Sequence, residues 1–435
     1  MSEYDHIMKE ISQLDSIDQL YVYLEQHYEK AQNDLVLYND LLRVADHYGQ
    51  SGYREVQIDI LTALYEVEPS NKTAYLNAQA HMNYGEYDKA YDWILKAKQT
   101  KLQYKISLLK AQIMMKIGLV NEAREILVTL IKNFETKPEA YTTLAELYEQ
   151  NHSYEMAEYY YDTVFKYFLR QVDRRAIRLK LFQFELMKEV IDIERIELLA
   201  EEENLPLETA EEYRTLALAY QRALQYDQAI TYAKRALQTD KNLLDASFLL
   251  MELYEITGHK SNLKKELDFL TVSLPELHPT ILDVAATAQK INYLNDHLIE
   301  KVSQYFQMAE DEEEQYTMIE MIVKYKLANN RPQEALEDLK EMSIYFSDEV
   351  YLSHLFASAY RALGQYELVE DFYQLALDNL STDPELVYEV VTYYQEQNQT
   401  QQGFELAQRY KGTIYDTKQL KALREQLRLQ LSQLD

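Results

Sequence analysis

The chain has 435 residues, of which 44 are Lys or Arg and 73 are Asp or Glu, so its formal net charge is −29. This charge argues against a nucleic-acid or membrane-surface partner, because both need a basic face. The absence of Cys excludes disulfides and thiolate chemistry. The presence of only 8 Gly and 7 Pro argues against a sheet protein, which needs frequent turns.

The N-terminal segment, residues 1–36, begins with the acidic sequence MSEYDH and lacks the apolar core of a signal peptide. Its amphipathic pattern predicts N-terminal capping helices. No run of about 18 apolar residues occurs along the chain, so no membrane insertion is expected. These features predict a cytoplasmic protein.

A short pattern recurs beyond the first segment, reading GEYDKA at 85–90, SYEMA at 153–157, QYDQA at 225–229 and GQYELV at 364–369. Its small final residue marks each unit: Val56, Ala90, Ala123, Ala157, Ala229, Leu263, Ala335, Val369 and Gly403. Successive markers lie 34, 33, 34, 72, 34, 72, 34 and 34 residues apart. Each gap of 72 hides one degenerate repeat, near 191–197 and 297–301, so about eleven units are predicted.

Other residues fall at constant offsets from these markers. Twelve positions earlier stand Ala78, Ala111, Ala145, Ala217 and Ala357, and Ala285 holds the corresponding place in the degenerate unit near 297–301. Nine positions earlier stand Tyr148, Tyr220, Tyr254, Tyr360 and Tyr394. Five positions earlier stand Gly85, Gly118, Gly258, Gly364, Asn330 and Asn398, which tolerate a left-handed backbone. The spacing therefore predicts a helix, a turn at the Gly or Asn, and a second helix in every unit.

This 34-residue helical hairpin resembles the tetratricopeptide repeat (TPR), most closely at 138–168 and 210–238. The whole layout resembles all-TPR cytosolic proteins of low-GC Gram-positive bacteria. The resemblance implies an all-α fold, a right-handed α-solenoid superhelix of about eleven TPR-like hairpins with N- and C-terminal cap helices.

The predicted organisation follows from the markers. After the capping helices of 1–36 come TPR-like repeats at 37–170, a degenerate repeat and candidate hinge at 171–209, repeats at 210–278, a degenerate repeat with an acidic link at 279–315, repeats at 316–415, and a C-terminal cap helix at 416–435. The acidic run 310–314 is interpreted as an exposed link, because it lacks the ligand spacing of a calcium loop. The Leu-rich segment 418–434 is interpreted as a cap helix, and self-association is therefore not favoured. The alternative is that this segment is a dimerising helix.

The resemblance also implies a concave groove lined by positions 2, 5, 9 and 12 of the first helix in each unit. The predicted groove residues are Tyr38, Tyr48, Tyr75, Gln79, Met82, Lys105, Gln112, Met115, Glu146, Glu149, Arg214, Gln221, Phe248, Glu252, Glu255, Lys324, His354, Arg361 and Tyr388. Tyr and Met gather in the first third and carboxylates near the centre, which predicts a mixed basic–apolar partner segment. Two alternatives remain: the acids are solvated surface, or the Tyr and Met side chains only pack between helices.

Catalytic, metal and cofactor sites are not predicted, because the 9 His never pair at i, i+4 and no Gly-rich phosphate loop occurs. Two basic clusters, Lys96 to Lys105 and Arg170 to Lys180, are interpreted as solvated helix faces that balance nearby carboxylates. The sequence therefore predicts a non-enzymatic scaffold or adaptor that binds a protein segment. The alternative is a regulatory adaptor that controls the proteolysis or activity of a cell-envelope synthesis enzyme.

Overall fold

The computed structural model describes residues 3–14, 16–98, 103–202, 204–275, 277–346, 349–379 and 384–432. All regular secondary structure in these ranges is helical, with 25 α-helices, one 3-10 helix and no strand. The chain divides into two compact units, Met1–Leu224 and Gln225–Asp435, and the division falls inside the stretch of repeats predicted at 210–278. Met1, Ser2, Lys101 and Leu434, which belong to patterns noted above, lie outside the described residues.

The first unit contains thirteen helices within its described residues. They are α1 (Glu3–Ile11), α2 (Ile17–Ala31), α3 (Leu35–Gln50), α4 (Arg54–Val67), α5 (Asn71–Asn83), α6 (Tyr87–Leu95), α7 (Gln103–Lys116), α8 (Val120–Asn133), α9 (Pro138–Gln150), α10 (Tyr154–Tyr167), α11 (Arg174–Met187), α12 (Ile193–Ala200) and α13 (Ala210–Arg222). Consecutive helices pair into hairpins from α3–α4 to α11–α12. The first helix of each hairpin (the A helix) also packs against the second helix (the B helix) of the preceding hairpin, and α1 and α2 pack on α3.

The second unit repeats this plan. Its helices are α14 (Tyr226–Thr239), α15 (Leu244–Thr257), α16 (Lys260–Ser273), α17 (Ile281–Lys290), α18 (Asp296–Phe306), α19 (Glu312–Ala328), α20 (Pro332–Ser343), α21 (Ser353–Ala362), α22 (Tyr366–Asn379), α23 (Pro384–Glu396), α24 (Thr400–Arg409) and α25 (Lys418–Leu431), with a 3-10 turn at Glu349–Leu352. Hairpins run from α15–α16 to α23–α24, and α25 packs on α24 and α23. The all-α solenoid plan is therefore confirmed: within each unit, helices contact their near neighbours along the chain.

The turn inside the hairpins is the predicted left-handed one. All six predicted Gly and Asn residues have positive φ, from 58° at Asn330 to 83° at Gly118. His152, with φ 57°, and Asn292, with φ 54°, hold the same place in their hairpins. In the turn at Gly85, the Glu86 N–H donates to the His81 carbonyl at 2.9 Å, the six-to-one bond of a Schellman motif. Local backbone chemistry therefore defines each hairpin.

Small residues lie where the paired helices meet. The markers Ala90, Ala157 and Ala229 are fully buried, as are Ala78 and Ala145 twelve positions before a marker. A side chain limited to one methyl group lets two helix backbones approach closely. The recurring small residues are therefore required for the paired helices to pack closely.

Two expectations about charged segments need correction. In the cluster from Arg170 to Lys180, Arg178 is not on a solvated face but fully buried, and it is paired with the equally buried Glu212. Residues 310–313 of the acidic run are exposed, but most of the run is not a link. Residues 312–314 form the first turn of α19, capped by Asp311, whose side chain accepts from the Glu314 N–H at 3.2 Å. Carboxylates are favourable there because the N-terminal end of a helix carries partial positive charge.

Three leucines of the C-terminal helix point inward. Leu420, Leu423 and Leu427 of α25 are buried, as a cap requires. Arg424 of the same helix forms a buried ion pair with Asp416 at 2.9 Å and donates to the Ala407 carbonyl at 3.1 Å. This helix closes the last hairpin of its unit.

Candidate functional site

The predicted groove residues lie on A helices, and most keep accessible surface. Lys105, Glu146, Glu252 and Lys324 are exposed. The half-buried residues are Tyr48, Tyr75, Gln79, Met82, Gln112, Met115, Glu149, Arg214, Gln221, Phe248, Glu255, Arg361 and Tyr388. These positions remain a prediction as a binding surface.

Two predicted residues are buried instead. Tyr38 is 5% exposed, and its hydroxyl lies 3.5 Å from the Glu68 carbonyl and from Ser70 Oγ in the link to the next hairpin. His354 is 8% exposed and packs beside the Tyr316 ring, with centroids 6.2 Å apart. Rings at these positions reach the adjoining hairpin, so they contribute packing and leave little side-chain surface for a partner.

Three predicted residues from two neighbouring A helices meet in one recess. Tyr75 of α5 and Lys105 and Gln112 of α7 line a cavity of about 460 Å³. The other lining residues are Tyr104, Leu108, Leu109, Phe134, Lys137 and Glu139. The A helices α5, α7 and α9 contact one another in succession, and we call them the A-helix row. The recess therefore combines aromatic, aliphatic, amide and ammonium groups on a continuous surface.

Tyr104 organises one wall of this recess, although the groove positions do not include it. Its hydroxyl donates to Glu139 Oε2 at 3.1 Å and accepts from the Ala140 N–H at 3.2 Å. Its ring meets Phe134 edge-on, with centroids 5.1 Å apart. Burial raises the pKa of Tyr104, and the Glu139 charge raises it further. Tyr104 lies 19 positions before the marker Ala123, outside the recurring offsets of twelve, nine and five, so the repeat pattern did not single it out.

A second recess of about 470 Å³ adjoins the first on α5. It brings predicted Gln79 together with Lys72 and with Asn39, Arg43 and Asp46 of α3. The Lys72 ammonium donates to Asn39 Oδ1 at 3.1 Å, which ties the two A helices together. Leu42, Leu61, Leu76 and Ala80 also line it, so this recess combines polar and aliphatic groups, and none of the described residues in its lining is aromatic.

The Tyr and Met side chains of the first third are partly used for packing. Tyr75 and Met82 pack against a buried cluster that includes Ile94 and Ile113, and Met115 packs against the cluster of the following hairpin. Each of these side chains therefore packs on one side and keeps accessible surface on the other, and its role in binding stays a prediction.

Each predicted carboxylate pair is partly neutralised within the chain. In the first unit, Glu149 Oε1 lies 2.7 Å from Lys180 Nζ, and Oε2 accepts from the Tyr161 hydroxyl at 3.0 Å. Desolvation raises the pKa of Glu146, and the neighbouring Glu149 charge adds to this effect. Because Lys180 already pairs with Glu149, an additional cation would bind more favourably at Glu146.

The same arrangement recurs in the second unit. Glu255 Oε1 lies 2.7 Å from the Lys290 ammonium, and Oε2 is 3.5 Å from the Thr287 hydroxyl. In both units the lysine belongs to the next A helix, α11 for Lys180 and α17 for Lys290. Glu149 and Glu255 therefore also link each repeat to the next one.

The predicted basic residues are paired with nearby acids. Arg214 binds Glu211 with two hydrogen bonds of 2.9 and 2.6 Å. Burial alone would lower the pKa of Lys324, but its contact with Glu320 at 2.7 Å outweighs this and raises the pKa. These cations are less available to a partner than Lys105, which lies exposed at the rim of the recess.

None of the described helices has the length and apolar content needed to cross a membrane. Among the described side chains, no group of three His, Asp or Glu residues is arranged to hold a metal ion.

No protein-family model and no curated protein matches the chain. Several solved structures do. The APC/C hetero-tetramer Cut9–Hcn1 matches with 11% identity over 89% of this chain and 96% of that chain, at a TM-score of 0.34. The C-terminal part of a TPR repeat-containing protein from Cytophaga hutchinsonii matches with 13% identity over 65% and 94%, at 0.32. MamA matches with 15% identity over 47% and 92%, at 0.27. The assignment of the fold rests on the helices and turns of the chain itself.

Proposed function

We propose that the chain is a protein-binding scaffold that holds a partner segment against the A-helix row of its first unit. The recess formed by Tyr75, Lys105 and Gln112 is the observation that supports this most directly. A preformed helical surface loses little conformational entropy on binding, which favours the capture of an extended or helical segment.

The partner segment carries an apolar anchor and at least one basic side chain. The anchor fits the recess, where Tyr75 and Leu108 present apolar surface. A basic side chain is disfavoured there by Lys105 and Lys137, so it belongs at Glu146 on the next A helix of the row. The segment therefore runs with its anchor at α5–α7 and its positive charge at α9.

Site-specific crosslinking in the native cell tests the location. A photo-reactive side chain at Gln112 is expected to capture one dominant protein. The same group at Lys132, an exposed residue of the B helix α8, is the matched control and is expected to capture none. Equal capture at the two positions would contradict the proposal.

Affinity measurements with the captured protein then test the chemistry. Gln112→Trp fills the recess and is expected to weaken binding by about tenfold or more, whereas Lys132→Trp leaves it unchanged. Glu146→Lys is expected to weaken binding and to reduce its salt dependence, with Glu122→Lys on α8 as the control. Wild-type affinity in both Gln112→Trp and Glu146→Lys would overturn the proposed orientation. No contact among the described residues favours the regulatory-adaptor alternative, so the proposal is limited to protein binding.

A further inference from the structure

A separate recess lies at the N-terminal end of α11, outside the A-helix row. Its volume is about 480 Å³. Its lining residues are Leu169, Arg170, Val172, Asp173, Arg174, Arg175, Asn204 and Leu205. Three arginines on one recess are notable in a chain whose formal net charge is −29.

The neighbouring contacts show which cations are already used. Arg178 is fully engaged by Glu212 and by backbone carbonyls. Arg175 binds Glu208 at 2.7 Å and Glu212 at 3.2 Å. Lys180 is held by Glu149 at 2.7 Å. These three side chains therefore have acidic partners within the chain.

Arg174 is different. It is 8% exposed, yet among the described residues its Nε has no hydrogen-bond partner, and the ion pair that it forms there with Glu202 is long at 3.4 Å. The guanidinium lies over the Phe165 ring, 4.3 Å from the centroid, which holds it in place. A buried guanidinium N–H without an acceptor costs free energy, so this group is poised to receive one.

Arg170 supplies a second, exposed guanidinium on the same recess. The helix N-terminus itself is not the binding element, because Asp173 Oδ1 already accepts from the N–H groups of Arg175 and Ala176 at 3.0 and 3.2 Å. The guanidinium groups must therefore do the binding. The planar guanidinium groups can each donate two hydrogen bonds to the oxygens of a phosphate. A phosphate dianion also neutralises two positive charges, whereas one carboxylate neutralises only one.

We propose that this recess binds a phosphate group through Arg174 and Arg170, either as free inorganic phosphate or as the phosphate of a phosphorylated serine. Asp173 lines the recess and Glu202 contacts Arg174, and their negative charges disfavour anions that do not engage both guanidiniums. The site is independent of partner binding on the A-helix row.

Calorimetric titration of the full chain tests this site, with ionic strength held constant by NaCl. Inorganic phosphate, O-phosphoserine and serine are the three probes. Saturable binding of inorganic phosphate or O-phosphoserine, but not of serine, is expected, and tighter binding of O-phosphoserine would identify the phosphorylated side chain as the source. Arg170→Gln and Arg174→Gln are each expected to weaken binding by about tenfold or more, since a hydrogen bond to a charged group contributes about 1.5–3 kcal/mol.

Arg124→Gln on the exposed face of α8 is the matched control and keeps wild-type affinity. Because Arg170 is exposed, Arg170→Gln is expected to fold, and it still tests the site if Arg174→Gln does not fold. Absence of saturable binding to the wild-type chain would overturn the proposal. So would wild-type affinity in Arg170→Gln, or an equal loss in Arg124→Gln.

Discussion

Two adjacent hairpins of the first unit are stabilised by different interactions. In α9–α10, Ala145 and Ala157 are fully buried and the turn passes through His152 at φ 57°. In α11–α12, none of residues 188–192 has a positive φ, and the hairpin is tied to the following segment by the buried pair of Arg178 and Glu212. The first hairpin shows the sequence motif plainly, and the second had to be inferred from a gap of 72 residues.

The comparison shows how a repeat can lose its motif without losing its place in the stack. Arg178 Nε donates to Glu212 Oε1 at 3.1 Å, and other guanidinium N–H groups donate to the carbonyls of Leu199, Leu205 and Pro206. Desolvation of two charges is costly unless every remaining polar atom finds a partner. Here one arginine binds Glu212 and three backbone carbonyls between Leu199 and Pro206, so a side chain ties the degenerate hairpin to the next A helix.

The largest expected effect comes from breaking this buried pair. Arg178→Met removes the buried cation beside the Glu212 carboxylate, which keeps the longer contact with Arg175 at 3.2 Å. The substitution is expected to lower the free energy of unfolding by about 3–5 kcal/mol. Urea denaturation followed by far-ultraviolet circular dichroism measures the change. Arg124→Met, at an exposed site on α8, is expected to stay within about 0.5 kcal/mol of the wild type. Equal stability of the two variants would show that the pair is not a structural element.

Overfilling the regular hairpin should have the next largest effect. Ala157→Leu forces extra volume into the contact between α9 and α10 and is expected to cost about 1–3 kcal/mol. Ala176→Leu, at an exposed position of α11, is the control and should be nearly neutral. If Ala157→Leu were equally neutral, close helix approach would not be what the alanines provide.

Acid should weaken the degenerate hairpin selectively. Burial alone would raise the pKa of Glu212, but hydrogen bonds from the Glu208 and Thr209 N–H groups and from Arg178 outweigh it and lower the pKa to about 2. The ionised carboxylate therefore stabilises the fold fully above its ordinary pKa of 4.5, and this contribution is lost as the pH falls from there towards 2. Between pH 6 and pH 3 the loss amounts to about 2 kcal/mol at most.

The matched comparison for this effect is the double variant Arg178→Met with Glu212→Leu, which has no titrating group at this site. Urea midpoints are measured for both proteins at pH 6 and pH 3. The wild type is expected to lose more stability than the double variant. Parallel losses would mean that Glu212 titrates normally in the folded chain.

The smallest expected effect concerns the turns. His152→Gly relieves a left-handed backbone strain and is expected to raise the free energy of unfolding by about 0.5–1 kcal/mol, whereas Gly85→Ala should lower it by about 1 kcal/mol. No atom lies within 4 Å of a Cβ added at Gly85, so the second effect reports backbone conformation alone. Val190→Gly, in the turn without positive φ, should give no gain. A gain there would remove the distinction between the two turns.

Local sequence chemistry was enough to predict the hairpins. Positive φ at Gly85 and Asn330, and the burial of Ala90 and Ala229, follow from backbone sterics and from a helical period contained within one repeat. The degenerate hairpins were placed by spacing alone. Their internal contacts were not predicted, because charged residues carry no periodic signal.

The amino-acid pattern by itself determined that the chain is a series of helical hairpins, where each hairpin turns and which face each helix buries, because all three depend on residues a few positions apart. Only the tertiary structure decided which polar side chains pair, as Glu149 with Lys180, 31 residues away, and Arg178 with Glu212, 34 residues away. It also decided that Tyr38 is buried while Lys105 remains exposed. The physical reason is that these outcomes depend on distances and desolvation between neighbouring repeats, which a count of charges along the chain does not contain.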